Sequence, residues 1–91
     1  MKDIPNTCRF YKKTPTFDET SVPIGLLRAH QTKAGTWGKI VVLSGKLHYR
    51  ILQSENEQYE LDPDHSGVVE PEVLHEVEPM GPVRFFVEFF K

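Results

Sequence analysis

A single cysteine, Cys8, stands among the 91 residues, so no internal disulfide can brace the fold, and one unpaired thiol fits a reducing compartment. Long hydrophobic runs are missing as well. No stretch approaches the ~18 apolar residues of a membrane-spanning helix, and no basic start leads into a short apolar segment of the secretory type. The expected location is the cytoplasm, with no membrane partner. An excess of one charge is also lacking: 11 Lys and Arg against 13 Asp and Glu give a formal net charge of −2. The only local basic cluster is Lys12-Lys13, far short of the footprint that nucleic acid requires. Helical periodicity is the last absence, since no window of about eleven residues places apolar side chains every third or fourth position.

What is present is period-two alternation cut by turn residues. Residues 1–24 carry Pro5, Pro15 and Pro23 among short polar groups and read as an arm, with Arg9 to Lys13 able to pair as an edge strand. From residue 25 to residue 91 the pattern is a succession of short strands. Leu26 to Lys33 alternates Leu26, Arg28, His30 and Thr32 against Leu27, Ala29 and Gln31; Ala34-Gly35 turns the chain. Thr36 to Leu43 follows, with Trp37, Lys39, Val41 and Leu43 on one face and Gly38, Ile40 and Val42 on the other. Ser44-Gly45 closes that strand, and Lys46 to Gln53 sets Leu47, Tyr49 and Ile51 against His48 and Arg50. After a turn at residues 54–57 come a short strand at Tyr59-Glu60-Leu61 and a turn-rich loop over residues 62–67. Met80-Gly81-Pro82 then leads into Val83 to Phe90, where Val83, Phe85, Val87 and Phe89 share a face. Seven or eight such strands predict one small all-β domain, an antiparallel barrel or jelly roll. A domain of this size has little core to spare, and a homodimer formed through strand addition or sheet packing is expected.

The most informative chemistry lies in residues 67–79. Val68-Val69 and Val73 to Val77 read as two short strands joined at Pro71, so that His75 shares a face with Val73 and Val77. A histidine on an apolar face needs a partner, because an unsatisfied buried polar group costs about 1–3 kcal/mol. Glu70, just before the turn, can point into the same space, and one imidazole with one carboxylate is half of a metal site. Glu72 competes for that role from the turn tip, and Glu88, set among Phe85, Phe86, Phe89 and Phe90, is either a third contender or a partner of Arg84 or Lys39. His48 and His65 read as surface residues, Trp37 as core or pocket wall, and Cys8 has no neighbouring signal for chemistry.

Two segments resemble the paired motifs of the cupin superfamily. The first runs from His30-x-Thr32 through Trp37-Gly38 to Val42-Leu43-Ser44-Gly45-Lys46-Leu47; the second runs from Leu61-x-Pro63 to Val69-Glu70-Pro71-Glu72-Val73-Leu74-His75. Together with Thr14-Pro15, Pro23-x-Gly25 and Gly35-Thr36-Trp37, the set is similar to the N-terminal domain of the tellurite-resistance protein B family. The resemblance covers nearly the whole chain and implies a cupin-like barrel. It also implies a link to tellurite or stress resistance, and a domain found alone or fused to a methyltransferase that uses S-adenosylmethionine. Ninety-one residues leave no room for the methyltransferase fold itself.

Cupin metal centres take two histidines and a glutamate from the first motif and one histidine from the second. Here His30 and His75 match, while Thr32 and Gly38 stand where the other two ligands would be, Glu70 at a usual proline position and Glu72 at a usual glycine position. The resemblance therefore implies a reduced set of His30, Glu70 and His75 holding one divalent ion, with zinc, iron, nickel and manganese not distinguished. Positions would remain open for water or a small ligand, including an oxyanion. The competing expectation is a non-catalytic ligand-binding or dimerisation module, acting in trans with a methyltransferase.

Overall fold

The computed structural model describes residues 1–28, 30–53 and 56–91. In chain order the elements are β1 (Phe10–Lys13), β2 (Phe17–Asp18), α1 (Ile24–Leu27), β3 (Trp37–Ile51), β4 (Glu57–Leu61), β5 (Gly67–Val69) and β6 (His75–Phe90). All strands belong to one antiparallel sheet of order β1-β6-β3-β4, with β2 added to β6 and β5 added to β3. This is the small all-β domain that the alternation predicts. The hydrogen-bonded path does not close on itself, because β1 and β4 end it.

The long strands β3 and β6 pair with each other along nearly their whole length, from Trp37↔Phe90 to Ile51↔His75. The strands expected at residues 36–43 and 46–53 are therefore halves of one element. Ser44-Gly45 is an irregularity within it, as is Met80-Gly81-Pro82 within β6, and the register shifts between Val42 and Ser44 and again between Gly45 and Leu47. Glycine signals a bulge as readily as a turn. The consequence for packing is specific. Inward-facing residues of β3 are even-numbered before the irregularity (Gly38, Ile40, Val42) and odd-numbered after it (Leu47, Tyr49, Ile51), with residues 43–46 exposed between. A regular strand would turn one of the two sets outward, since the side-chain period is two. The bulge lets both halves face one core, which they share with Leu61, Val69, Val77, Val83, Phe85 and Val87.

Among the described residues the strand expected over Leu26 to Lys33 does not form. Pro23 precedes the short helix α1, and His30 then makes a single bridge to His75. Proline's fixed φ suits a helical start. The turn carries Leu26 onto the core while Ile24 and Leu27 stay exposed. Ala29, placed in that expected strand, and Ser54 and Glu55, placed in the expected turn at residues 54–57, lie outside the described residues. β1 forms one sheet edge, all four of its residues exposed, and Phe10 meets Phe90 edge-on at 6.0 Å between ring centroids.

Gly45 has a φ of +78°, and a Cβ there would run into the Pro82 carbonyl of the partner strand. Gly81 is also left-handed, at +93°, but faces open space. Gly45→Ala is expected to lower unfolding stability by about 3 kcal/mol and Gly81→Ala by about 1 kcal/mol, read by urea denaturation; equal losses would contradict the close approach.

Candidate functional site

His30 and His75 exchange both backbone hydrogen bonds of a cross-strand pair, each N–H donating to the other's carbonyl at 2.8 Å. Residues opposed in this way project their side chains to the same side of the ladder. The two imidazoles accordingly meet edge-on, with centroids 5.4 Å apart and ring planes at 81°. Tyr49 abuts His75 at 6.0 Å, and its hydroxyl donates to the Val68 carbonyl at 2.9 Å, tying β3 to β5 beside the histidines. Burial pushes the Tyr49 phenol well above its ordinary value, so it stays protonated.

His75 is 3% exposed and is the buried polar side chain among the described residues. Its Nδ1 stands 3.0 Å from the Val73 carbonyl. A carbonyl only accepts, so Nδ1 carries the proton and the neutral ring keeps a lone pair on Nε2. Burial lowers the pKa of the ring; the Val73 bond opposes that shift, and neighbouring His30 adds to it.

Both rings line a cavity of about 40 Å³, room for a few atoms, whose remaining wall is mostly apolar: Leu26, Ile40, Val69, Val77, Phe85, Val87 and Phe89 with Gly38, Thr14 and Thr32. His30, Thr32 and Phe89 also line an open groove outside it, of about 300 Å³. His30 thus stands between a small apolar chamber and a wet vestibule.

Of the residues singled out from sequence, the structure brings His30 and His75 together. The Glu70 carboxylate is not on the cavity wall; it lies 3.6 Å from the Lys2 ammonium and is partly exposed. Alternation explains this, for Val69 before it points inward. Glu72 is exposed on the turn with a φ of +61°, and its amide donates to the Thr32 carbonyl at 3.1 Å. Glu88 alternates with the cavity residues Val87 and Phe89 and stands opposite Lys39 and Lys13 in register. Trp37 is half-buried on the outer face, so Gly38 and Ile40 make the wall assigned to it. Thr32 donates its hydroxyl to the Thr36 carbonyl at 2.8 Å, and a Cβ at Gly38 would press on Val69 at 3.2 Å, so neither position supplies a ligand. Among the described residues no group of three or more His, Cys, Asp and Glu is arranged to hold a metal. Sequence reasoning missed Thr14, which donates its backbone N–H to the Val87 carbonyl at 2.9 Å and accepts from the Val87 N–H at 3.0 Å, and it missed Leu26 on α1.

His48 lies on the outer face, its Nδ1 accepting from Arg50 at 3.1 Å and its Nε2–H donating to Gln58 Oε1 at 3.0 Å. His65 is exposed and bonded to Asp62 at 2.8 Å, which raises its pKa. Neither reaches the cavity.

The family model of the TehB-like domain matches residues 12–87. The chain belongs to the TehB-like family. A probable S-adenosyl-L-methionine-dependent methyltransferase TehB from Haemophilus influenzae strain Rd is 35% identical over 75 residues, 78% of this chain and 26% of the relative. The chain thus spans about a quarter of that relative's length. The crystal structure of Haemophilus influenzae TehB superposes with a TM-score of 0.84 at 31% identity, covering 93% of this chain and 32% of the other. A crystal structure of an Escherichia coli K12 protein covers 100% of this chain and 97% of its own, with a TM-score of 0.88 at 22% identity, and shares the fold. Among the described residues of the TehB-like domain, no helix is long and apolar enough to cross a membrane.

A histidine whose pKa falls on folding binds fewer protons in the native state than in the unfolded state. Stability then rises with pH through the interval between its depressed native value and the ordinary value of 6.5. The His75 contribution is fully present above 6.5 and is lost as pH falls through the native value. His75→Gln is expected to flatten the pH dependence of urea midpoints below 6.5; a slope unchanged from wild type would show that His75 is not held neutral.

Proposed function

We propose that this TehB-like domain is a cytoplasmic ligand-binding module, taking a small molecule into the cavity beneath the paired imidazoles and serving a methyltransferase fused to it or separate from it. The observation that carries the reading is the His75 ring on the wall of a mostly apolar chamber, held neutral by burial and fixed through Nδ1 by Val73, with no protein partner for Nε2 among the described residues. A concave, mostly apolar pocket with a few fixed polar atoms is the usual form of a small-molecule site. The TehB relatives described as probable methyltransferases support the partnership, and the resemblance to tellurite-resistance proteins supports a role in stress. The exposed edge strand β1, with Phe10 and Tyr11 outward, supports self-association as a homodimer, which sedimentation equilibrium would read as twice the chain mass and contradict with one.

A divalent ion, whether zinc, iron, nickel or manganese, is the second reading, favoured by the same Nε2 atom. Two imidazoles sharing one ion at ~2.1 Å can stand with ring centroids up to about 6 Å apart, and these stand at 5.4 Å. Among the described residues the protein donor set stops at two, however, with the Glu70 carboxylate beside Lys2. The residues present therefore fit an ion only where the ligand or water fills the other positions.

Butyramide, a small neutral probe, is expected to shift the imidazole NMR signals of His30 and His75 saturably, while zinc, nickel, manganese or iron(II) leaves the melting temperature unchanged. Metal-induced stabilisation that His75→Gln removes would support the ion instead. Ring signals unmoved by butyramide would contradict the pocket.

A further inference from the structure

The wall of the outer groove has a charge pattern opposite to that of the chain. Acidic residues outnumber Lys and Arg by 13 to 11 overall, yet the charged residues lining the groove are Lys12 and Lys33, and neither groove nor cavity is lined by a carboxylate among the described residues. Lys12 Nζ lies 5.4 Å from the ring centre of Phe89 and 5.7 Å from that of Tyr11, contacts that hold the ammonium along the groove. Gln31, Thr36 and the Tyr11 hydroxyl add hydrogen-bonding groups to the same surface. Neither lysine has a carboxylate within 4.0 Å among the described residues, so no ion pair has to be broken before a ligand binds.

Chamber and groove share His30, Thr32 and Phe89 in their walls, so the two spaces lie side by side. Resting on the ligand-binding reading above, we propose that the ligand is a small organic anion, its acid group between Lys12 and Lys33 and its apolar body in the chamber against Val77, Phe85 and Val87. The division of labour follows from the environments. The chamber cannot solvate a charge, whereas the groove is wet, cationic and rich in donors. The lysines read the charge and the apolar wall of the chamber reads the buried part.

The test compares butyrate with its uncharged isostere butyramide by NMR titration of the full chain. At low ionic strength butyrate is expected to bind about tenfold more tightly, and the gap is expected to narrow in 0.5 M salt as the ~10 Å screening length shortens. In the double variant Lys12→Gln/Lys33→Gln the ratio of butyrate to butyramide affinity is expected to fall to about one. Butyramide binding with no advantage for butyrate, or an advantage that survives the double substitution, would overturn the anion assignment and leave the pocket standing. If neither probe moves the His30 and His75 signals, the pocket and the anion assignment fall together.

Discussion

Two backbone hydrogen bonds between His30 and His75 are the constraint on which the site depends. They fasten the segment after α1 to the first residue of β6, and because a mutually bonded antiparallel pair sends its side chains the same way, they bring two imidazoles 45 positions apart in sequence into edge contact. The rest of the fold makes that pair useful. Tyr49 backs it from β3, Val73 fixes the tautomer of His75, and the bulged centre of the β3–β6 ribbon folds both halves of the sheet around one chamber.

Much of this arrangement is written in period two. The inward sets Gly38/Ile40/Val42, Leu47/Tyr49/Ile51 and Val83/Phe85/Val87 follow directly from alternation, as does the burial of His75 beside Val77. Where the reading fails, local pattern is ambiguous or tertiary structure decides. Ser44-Gly45 and Met80-Gly81-Pro82 read as strand ends because bulges and turns use the same residues. Leu26 to Lys33 alternates well enough for a strand, yet Pro23 and the pull of Leu26 toward the core favour one helical turn. The direction of Glu70 was legible from its neighbour: Val69 belongs to the inward set, so the carboxylate points away. The placement of Lys12 and Lys33 along one groove was not, because it depends on β1 docking against the far end of β6, a pairing with no local signal.

The electrostatics set the chemistry of the site. A buried imidazole kept neutral is a weak receptor for a naked charge but a good acceptor for one hydrogen bond, and the cations stand outside, where water and counterions can reach them. On the proposed reading this separation suits an amphipathic small molecule, with its charge at the groove and its apolar part in the chamber. The TehB relatives carry a region similar to this domain alongside a larger remainder of chain.

The most direct measurement is long-range proton–nitrogen NMR of the two histidine rings near neutral pH. The account predicts that His75 has a protonated Nδ1 and an unprotonated Nε2 in slow exchange, with a nuclear Overhauser contact from its ring to that of His30. A proton resident on Nε2, or rings without mutual contact, would contradict it.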